Sequence, residues 1–364
     1  MQKPDRLRVK TVEKYLAQWA EPEAREIRVT QSYEHVVVIP CCNEELTALT
    51  PIMQAREQGA LVIAVVNARA SAAASVHERN AALAAALRGR EGIVVVERIG
   101  EEGVGLARKI GGDMALSLWR QYAVSSRFIH TTDADVDIPP DYFARAATAP
   151  EALLLYPFFH RLERGFEEAM QLYEISLHYY VRGLQWAGSP WALQTLGSCI
   201  AVDSEAYAAV RGFPRRDAAE DFYFIAKVAK IGTVRQLRGQ PLQLAGRPSD
   251  RVPFGTGAAV RKLQPEEFTM YAPRVFAYLK EQQAKLGGFV ETGTWVGDHA
   301  PRAGKDARER AGRAREHFDA FHTLKFVHKA RETHPSVPWR EALEQAPFMP
   351  PFSGDLESYR ALFL

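Results

Sequence analysis

Within His130-Thr131-Thr132-Asp133-Ala134-Asp135-Val136-Asp137, two carboxylates stand two residues apart, directly after Arg127-Phe128-Ile129. That apolar lead-in reads as the end of a buried strand. Asp133 and Asp135 then leave the sheet at a strand's C-terminal edge, where open α/β sheets take their ligands. The spacing suits a hard divalent cation, Mn²⁺ or Mg²⁺. Such an ion needs a few protein oxygens and keeps positions for water and substrate phosphates. The plain alternative is a solvated acidic turn leading into Pro139-Pro140, and Asp137 suits that role as well as any other. A second acidic pair, Glu220-Asp221, opens the helix-like stretch 219–231. It too has a plain explanation, since carboxylates at a helix start complement the macrodipole and Asp is a good cap.

The elements that must position these groups alternate. His35-Val36-Val37-Val38-Ile39-Pro40, Leu61-Val62-Ile63-Ala64-Val65-Val66 and Ile93-Val94-Val95-Val96 are continuous apolar runs, as expected of strands buried on both faces. Phe128-Ile129 leads to a fourth. Helical stretches are predicted at 43–58, 70–88 and 105–120, the last with Leu106, Ile110 and Met114 on one face. This order predicts an α/β fold: a mostly parallel, Rossmann-like sheet flanked by helices. Further on, a long aromatic-rich helix is expected over 165–187, ended by Gly188-Ser189-Pro190, and another over 219–231, stopped by Gly232 as a C′ residue. From about Leu263 the pattern is mainly helical. The charged run 307–320 reads as a solvated helix face.

Five segments stand in a telling order: Val36 to Glu44; Gly103-Val104-Gly105-Leu106-Ala107-Arg108-Lys109-Ile110-Gly111; Thr132-Asp133-Ala134-Asp135 with Pro140-Asp141-Tyr142-Phe143; Gly197 to Phe213; and Glu220-Asp221. Together they resemble the inverting family 2 glycosyltransferases of GT-A fold, over roughly residues 34 to 260. The resemblance implies a lead-in over 1–30, a nucleotide-sugar transferase domain over 31–260 and a helical region over 261–364. It implies sugar transfer from a nucleotide-diphosphate donor to an acceptor hydroxyl. Asp135 with Asp133 would hold the metal and donor diphosphate, and Pro40 and Glu44 would border the nucleotide. Asp221 would be the catalytic base with Glu220 beside it. Two adjacent carboxylates raise one pKa, which suits a base. The sequence does not say which of the two acts.

Arg108 follows two glycines at a helix start and is expected near the donor diphosphate. The alternative makes it and Lys109 surface charges, with Lys109 pairing to Asp113 at i+4. The second strand ends in Asn67 where the family usually has acidic residues. An amide both donates and accepts, so Asn67 can still meet a base edge, but the base is left open. Arg247 and Arg251, in a loop with Gly255-Thr256-Gly257, are candidate diphosphate contacts, or simply part of a Gly/Pro loop. Tyr173, Tyr179, Tyr180 and Trp186 fall at helical spacing, where aromatics are more often core. Trp191, outside that helix, is the candidate acceptor platform. His130 is expected to be structural, and His299 could join a metal only if its region folds back.

Bulk properties exclude other classes. With 46 basic against 44 acidic residues, the net charge of +2 does not suggest a nucleic-acid binder. The polar N-terminus carries no secretory core, and no run approaches the ~20 apolar residues of a membrane span. Three cysteines without framework spacing fit a reducing, cytoplasmic setting. Two rivals stay open: a sugar nucleotidyltransferase, which would want a glycine-rich phosphate loop after the first strand, and a non-catalytic binding protein that keeps the fold. The acceptor, and whether the C-terminal part serves it or a homodimer interface, are not legible.

Overall fold

The structure, a computed structural model, describes residues 6–101, 103–246, 256–292 and 301–363. Arg247, Arg251 and His299 lie outside the described residues. In chain order, helices α1 (Arg6–Gln18) and α2 (Glu23–Glu26) precede β1 (His35–Cys41). Then come α3 (Leu49–Glu57), β2 (Ala60–Arg69), α4 (Ala74–Leu87), β3 (Ile93–Gly100), α5 (Val104–Arg120) and β4 (Phe128–Thr131). Short strands β5 (Leu153–Leu155) and β6 (Phe158–His160) lead to α6 (Glu167–Trp186). Next are β7 (Ile200–Asp203), α7 (Ser204–Ala209), α8 (Glu220–Ile231), β8 (Val234–Gln236) and β9 (Leu242–Leu244). The remainder comprises α9 (Thr256–Lys262), β10 (Thr269–Met270), α10 (Pro273–Thr292), α11 (Ala307–His317), α12 (Ala320–Ala330), β11 (Val337–Pro338), α13 (Trp339–Gln345) and α14 (Leu356–Ala361).

The chain forms two compact units. The first takes in Met1–Arg161 and Thr195–Ala258, the second Leu162–Gln194 and Ala259–Phe363. The first holds a seven-stranded sheet of order β3-β2-β1-β4-β7-β5-β8. It is parallel except for β7, which runs antiparallel to both β4 and β5. The unit is thus α/β, Rossmann-like in its first half, where the 3-2-1-4 order puts the reversal of winding between β1 and β4.

The apolar runs become strands for the expected reason. Val36, Val37, Val38 and Ile39 of β1, and Leu61 to Val66 of β2, are almost completely buried. Full burial of one such side chain contributes roughly 1.5–3 kcal/mol. Pro40 lies within β1, opposite Val65, beyond the last β4 pair at Val38–Thr131. A residue without N–H is tolerated there because the ladder to β4 has ended. β2 runs three residues further than its apolar core suggests, so Asn67 lies inside the strand, paired with Arg98 of β3, and not at its end. Helix α5 seats closely on β1: a Cβ on Gly111 would lie 2.2 Å from Val38 Cγ1. Gly232 follows α8 with φ −153°, so it is not the left-handed cap expected from the sequence. It is needed because a Cβ there would lie 2.4 Å from that of Ala152.

His130 sits buried in β4, packed on Phe143, Tyr142 and Tyr156. Burial drives its pKa down from 6.5 to about 3, with the neighbouring His35 acting in the same direction. The folded state therefore holds His130 neutral while the unfolded chain protonates it. Its contribution to stability is complete above pH 6.5 and is lost as pH falls toward 3, by about 1.4 kcal/mol per pH unit. The His130→Phe variant is expected to flatten the dependence of Tm on pH between about 6 and 4. An unchanged slope would assign the acid sensitivity to other groups.

The second unit is built from α6, α10, α12, α13 and α14 around Leu172, Ile175, Tyr179, Phe276, Leu279 and Tyr359. Tyr173, Tyr179, Tyr180 and Trp186 of α6 all pack in its apolar clusters. Buried Glu174 meets Arg360 at 2.6 Å, an ion pair that links α6 to α14. Residues 307–317 form the charged helix α11, where Arg313 pairs with Glu309 and Glu316.

Candidate active site

The carboxyl ends of β1 and β4 face the same edge of the sheet, at the reversal of winding. After β1 the chain turns through Asn43, whose φ of +56° is a left-handed conformation that Asn accepts more readily than most residues. Asn80 of α4 holds this turn: its Oδ1 accepts from Asn43 N at 2.8 Å, and its Nδ2 donates to Asn67 O at 2.9 Å. Glu44 follows and is buried. After β4, Thr132 N donates to Val38 O, and the chain turns through Asp133 and Asp135.

The lead into β7 lies over the same edge, because antiparallel pairing puts Ile200 opposite Thr131. It brings Gly197 against Arg108 of α5. A Cβ on Gly197 would lie 2.7 Å from the guanidinium carbon, so only glycine lets the backbone lie on that group. Arg108 is buried. Its Nη2 donates to Asp133 Oδ1 at 2.5 Å, and its Nη1 donates to Glu220 Oε1. One guanidinium thus joins the two acidic motifs, as its planar fork permits. Asp221, next to Glu220, is held by two backbone groups: Oδ2 accepts from Gly197 N at 2.9 Å and Oδ1 from Phe222 N at 2.7 Å.

The electrostatics follow from burial and crowding. Asp221 is pushed up to about 6, first by burial and then by the charge of Glu220, against the opposing Arg108 and two backbone N–H groups. Asp133 is also raised, by burial and by Asp135, Glu220 and Glu44, although Arg108 pulls the other way. Glu44, Asp133 and Asp135 all help hold the buried Cys41 thiol well above its ordinary range. Three carboxylates, Asp133, Glu220 and Asp221, therefore act on one buried arginine, and Asp133 also feels Asp135 and Glu44.

That surplus bears on a metal. Among the described residues, no three His, Cys, Asp or Glu side chains converge as a closed site. An ion carried on a diphosphate needs fewer protein ligands. Asp133 keeps 40% of its side chain exposed beside Asp135, and both lie in a field of excess negative charge. One Asp133 oxygen is already taken by Arg108.

The structure revises several expectations. Arg108 is buried and paired with Asp133 and Glu220. Lys109 does pair with Asp113, at 2.9 Å, but not at the surface. Asp113 is fully buried and also accepts from Tyr15, Tyr207 and the backbone of Glu21. Arg108 and Lys109 are about 100° apart around the helix, so one enters the site and the other the packing behind it. Asp137 is more than a turn residue. It exchanges backbone hydrogen bonds with Gln243 and pairs with Arg161, whose Nη2 also donates to Asp135 O at 2.9 Å. Trp191, in the second unit, is only 7% exposed and donates its indole N–H to Phe318 O.

Sequence reasoning missed Asn80 and Arg161. A lone buried amide in an alanine-rich helix was the available signal for Asn80; nothing marked Arg161. Compared with known proteins, the chain matches no family model and no curated protein. Among the described residues, no helix is long and apolar enough to cross a membrane.

Proposed function

We propose that the protein is a metal-dependent glycosyltransferase of GT-A type, moving a sugar from a nucleotide diphosphate to an acceptor hydroxyl with inversion. The observation that carries this reading is the joining of Asp133 and Glu220-Asp221 through Arg108 at the ligand edge of a 3-2-1-4 sheet. The turn after β1 ends in a buried carboxylate, Glu44, and not in a glycine-rich phosphate loop, which favours sugar transfer over nucleotidyl transfer.

In this reading Asp221 is the base. Its carboxylate accepts the acceptor's proton as the hydroxyl oxygen bonds to the anomeric carbon and the bond to the diphosphate breaks. In-line displacement inverts that carbon. A carboxyl with a pKa of about 6 is ionised near neutral pH yet basic enough to take a proton in the transition state. Glu220 is bound to Arg108 and is the poorer candidate. Asp135 and Asp133 would hold Mn²⁺ or Mg²⁺, which neutralises the departing diphosphate when bound. Asn67 and Glu44 border the nucleotide, with Pro40 shaping the strand end between them.

A thermal-shift series tests the donor site. Nucleoside diphosphates with Mn²⁺ are expected to raise Tm well beyond either component alone; a ligand at 100 times its Kd stabilises by about 2.7 kcal/mol. Asp135→Asn should remove the metal-dependent part. If no nucleotide shifts Tm with metal present, the donor-site assignment fails.

A further inference from the structure

Residues 214–219 form a strap that enters α8 just before Glu220. Three successive side chains tie it to the α1–α2 loop, α8, the start of α5 and the end of β2. Arg215 grips the buried Glu21 carboxylate through two nitrogens, at 2.6–2.9 Å. The Arg216 guanidinium stacks 4.0 Å from the Tyr223 ring of α8. Asp217 Oδ1 accepts from Gly103 N at 2.9 Å, and its Oδ2 meets Arg69 Nη2, at the end of β2, at 2.7 Å. The strap backbone joins in: Gly105 N donates to Arg216 O at 3.1 Å. A Cβ on Gly105 would lie 2.4 Å from that oxygen and 2.5 Å from Pro214 O. The Gly-Val-Gly start of α5 therefore serves to dock this strap, and the strap takes two of the N–H groups that a helix start leaves unpaired.

The strap ends at Ala219 with φ +58°, a left-handed conformation that a residue with a Cβ holds only when its surroundings impose it. Glu220 and Asp221 follow at once. Glu220 is bound to Arg108, which lies on the same α5 whose start the strap grips. The backbone approach to Asp221 is thus fixed at both ends by α5. We propose that Asp217 is a positioning residue: by holding the start of α5 to the strap, it sets where Asp221 lies against Gly197.

The contact with Gly103 is the one that reaches the start of α5 directly. The pair with Arg69 is about half exposed on both sides, and exposed pairs contribute little. The catalytic consequence rests on the reading proposed above; the placement of Asp221 does not.

The test uses amide hydrogen exchange in the full chain, because the Gly197 N–H is protected through the Asp221 carboxylate. In Asp217→Ala, Gly197 is expected to exchange at least tenfold faster, while Val37 and Val38 in β1 keep wild-type protection. Asp217→Asn, which retains an acceptor for Gly103, should stay within about twofold of wild type at Gly197. In a transfer assay, kcat should fall in Asp217→Ala and recover in Asp217→Asn, with the donor KM nearly constant. Unchanged exchange at Gly197 in Asp217→Ala would overturn the proposal, and so would a loss of protection shared equally by the sheet amides. If the wild type transfers no sugar from any donor, the proposed function fails while the exchange result still decides the role of Asp217.

Discussion

Asp221→Asn is expected to lower sugar transfer by roughly 10²- to 10⁴-fold, the usual contribution of a positioned base. The change is nearly isosteric. An asparagine oxygen can still accept from Gly197 N or Phe222 N, so the fold around the site is retained. In the wild type, kcat/KM should rise with pH through about 6 and level off above it, because the base acts only when ionised. The variant's residual activity should lack that limb. Stability should move the other way. A carboxyl whose folded pKa lies above its unfolded value of 3.8 is a liability once pH exceeds that value, and the liability is complete above about 6. Neutralising it should therefore relieve that liability at pH 7, set against the one backbone hydrogen bond that the asparagine amide gives up. Lost activity with gained stability is the signature of a group held for chemistry. A variant that keeps its rate would show that Asp221 is not the base.

The parts of this design legible in the sequence are those written in local pattern. β1 and β2 follow from runs of β-branched residues that can only be buried. The acidic pair at 133 and 135 follows from a strand ending at Thr131. Past Val66, however, β2 is kept extended by pairing with Arg98, Ile99 and Gly100 of β3, a cross-strand effect with no local signature. The three-residue strands β5, β6, β8 and β9 are too short for alternation to show. The site was half legible for the same reason. Each motif is local, but Arg108 lies 25 residues from Asp133 and 112 from Glu220, and only the fold shows that it belongs to both. The role of the glycines at 103 and 105 was not legible because their partner, the 214–219 strap, is equally remote. Burial was the other hidden variable. The Lys109–Asp113 pair was readable from its spacing, but nothing local said that Tyr15 and Tyr207 would enclose it.

Arg108→Met is expected to be among the most destabilising single changes in the first unit. Methionine fills much of the volume but removes the only counter-ion of Glu220 that the described residues show, and Glu220 is 96% buried. Breaking a buried ion pair from one side typically costs about 3–5 kcal/mol, because the remaining charge cannot recover its water. The two carboxylates would not suffer equally. Asp133 is 40% exposed and can rehydrate; Glu220 cannot, and Asp221 stands beside it. Two consequences follow. The deficit should shrink as pH falls, since protonation removes the charge left unpaired, so the Tm gap between variant and wild type is expected to be larger at pH 8 than at pH 5. Adding Glu220→Gln should restore much of the lost stability, giving a coupling energy of at least about 1 kcal/mol in a double-mutant cycle. Arg108→Lys should not rescue it. An ammonium cannot address two carboxylates in one plane, nor offer Gly197 the flat face on which its backbone rests. Additive effects of Arg108→Met and Glu220→Gln, or a deficit independent of pH, would mean that Arg108 stabilises the unit by packing alone and that the link between the two acidic motifs has no energetic weight.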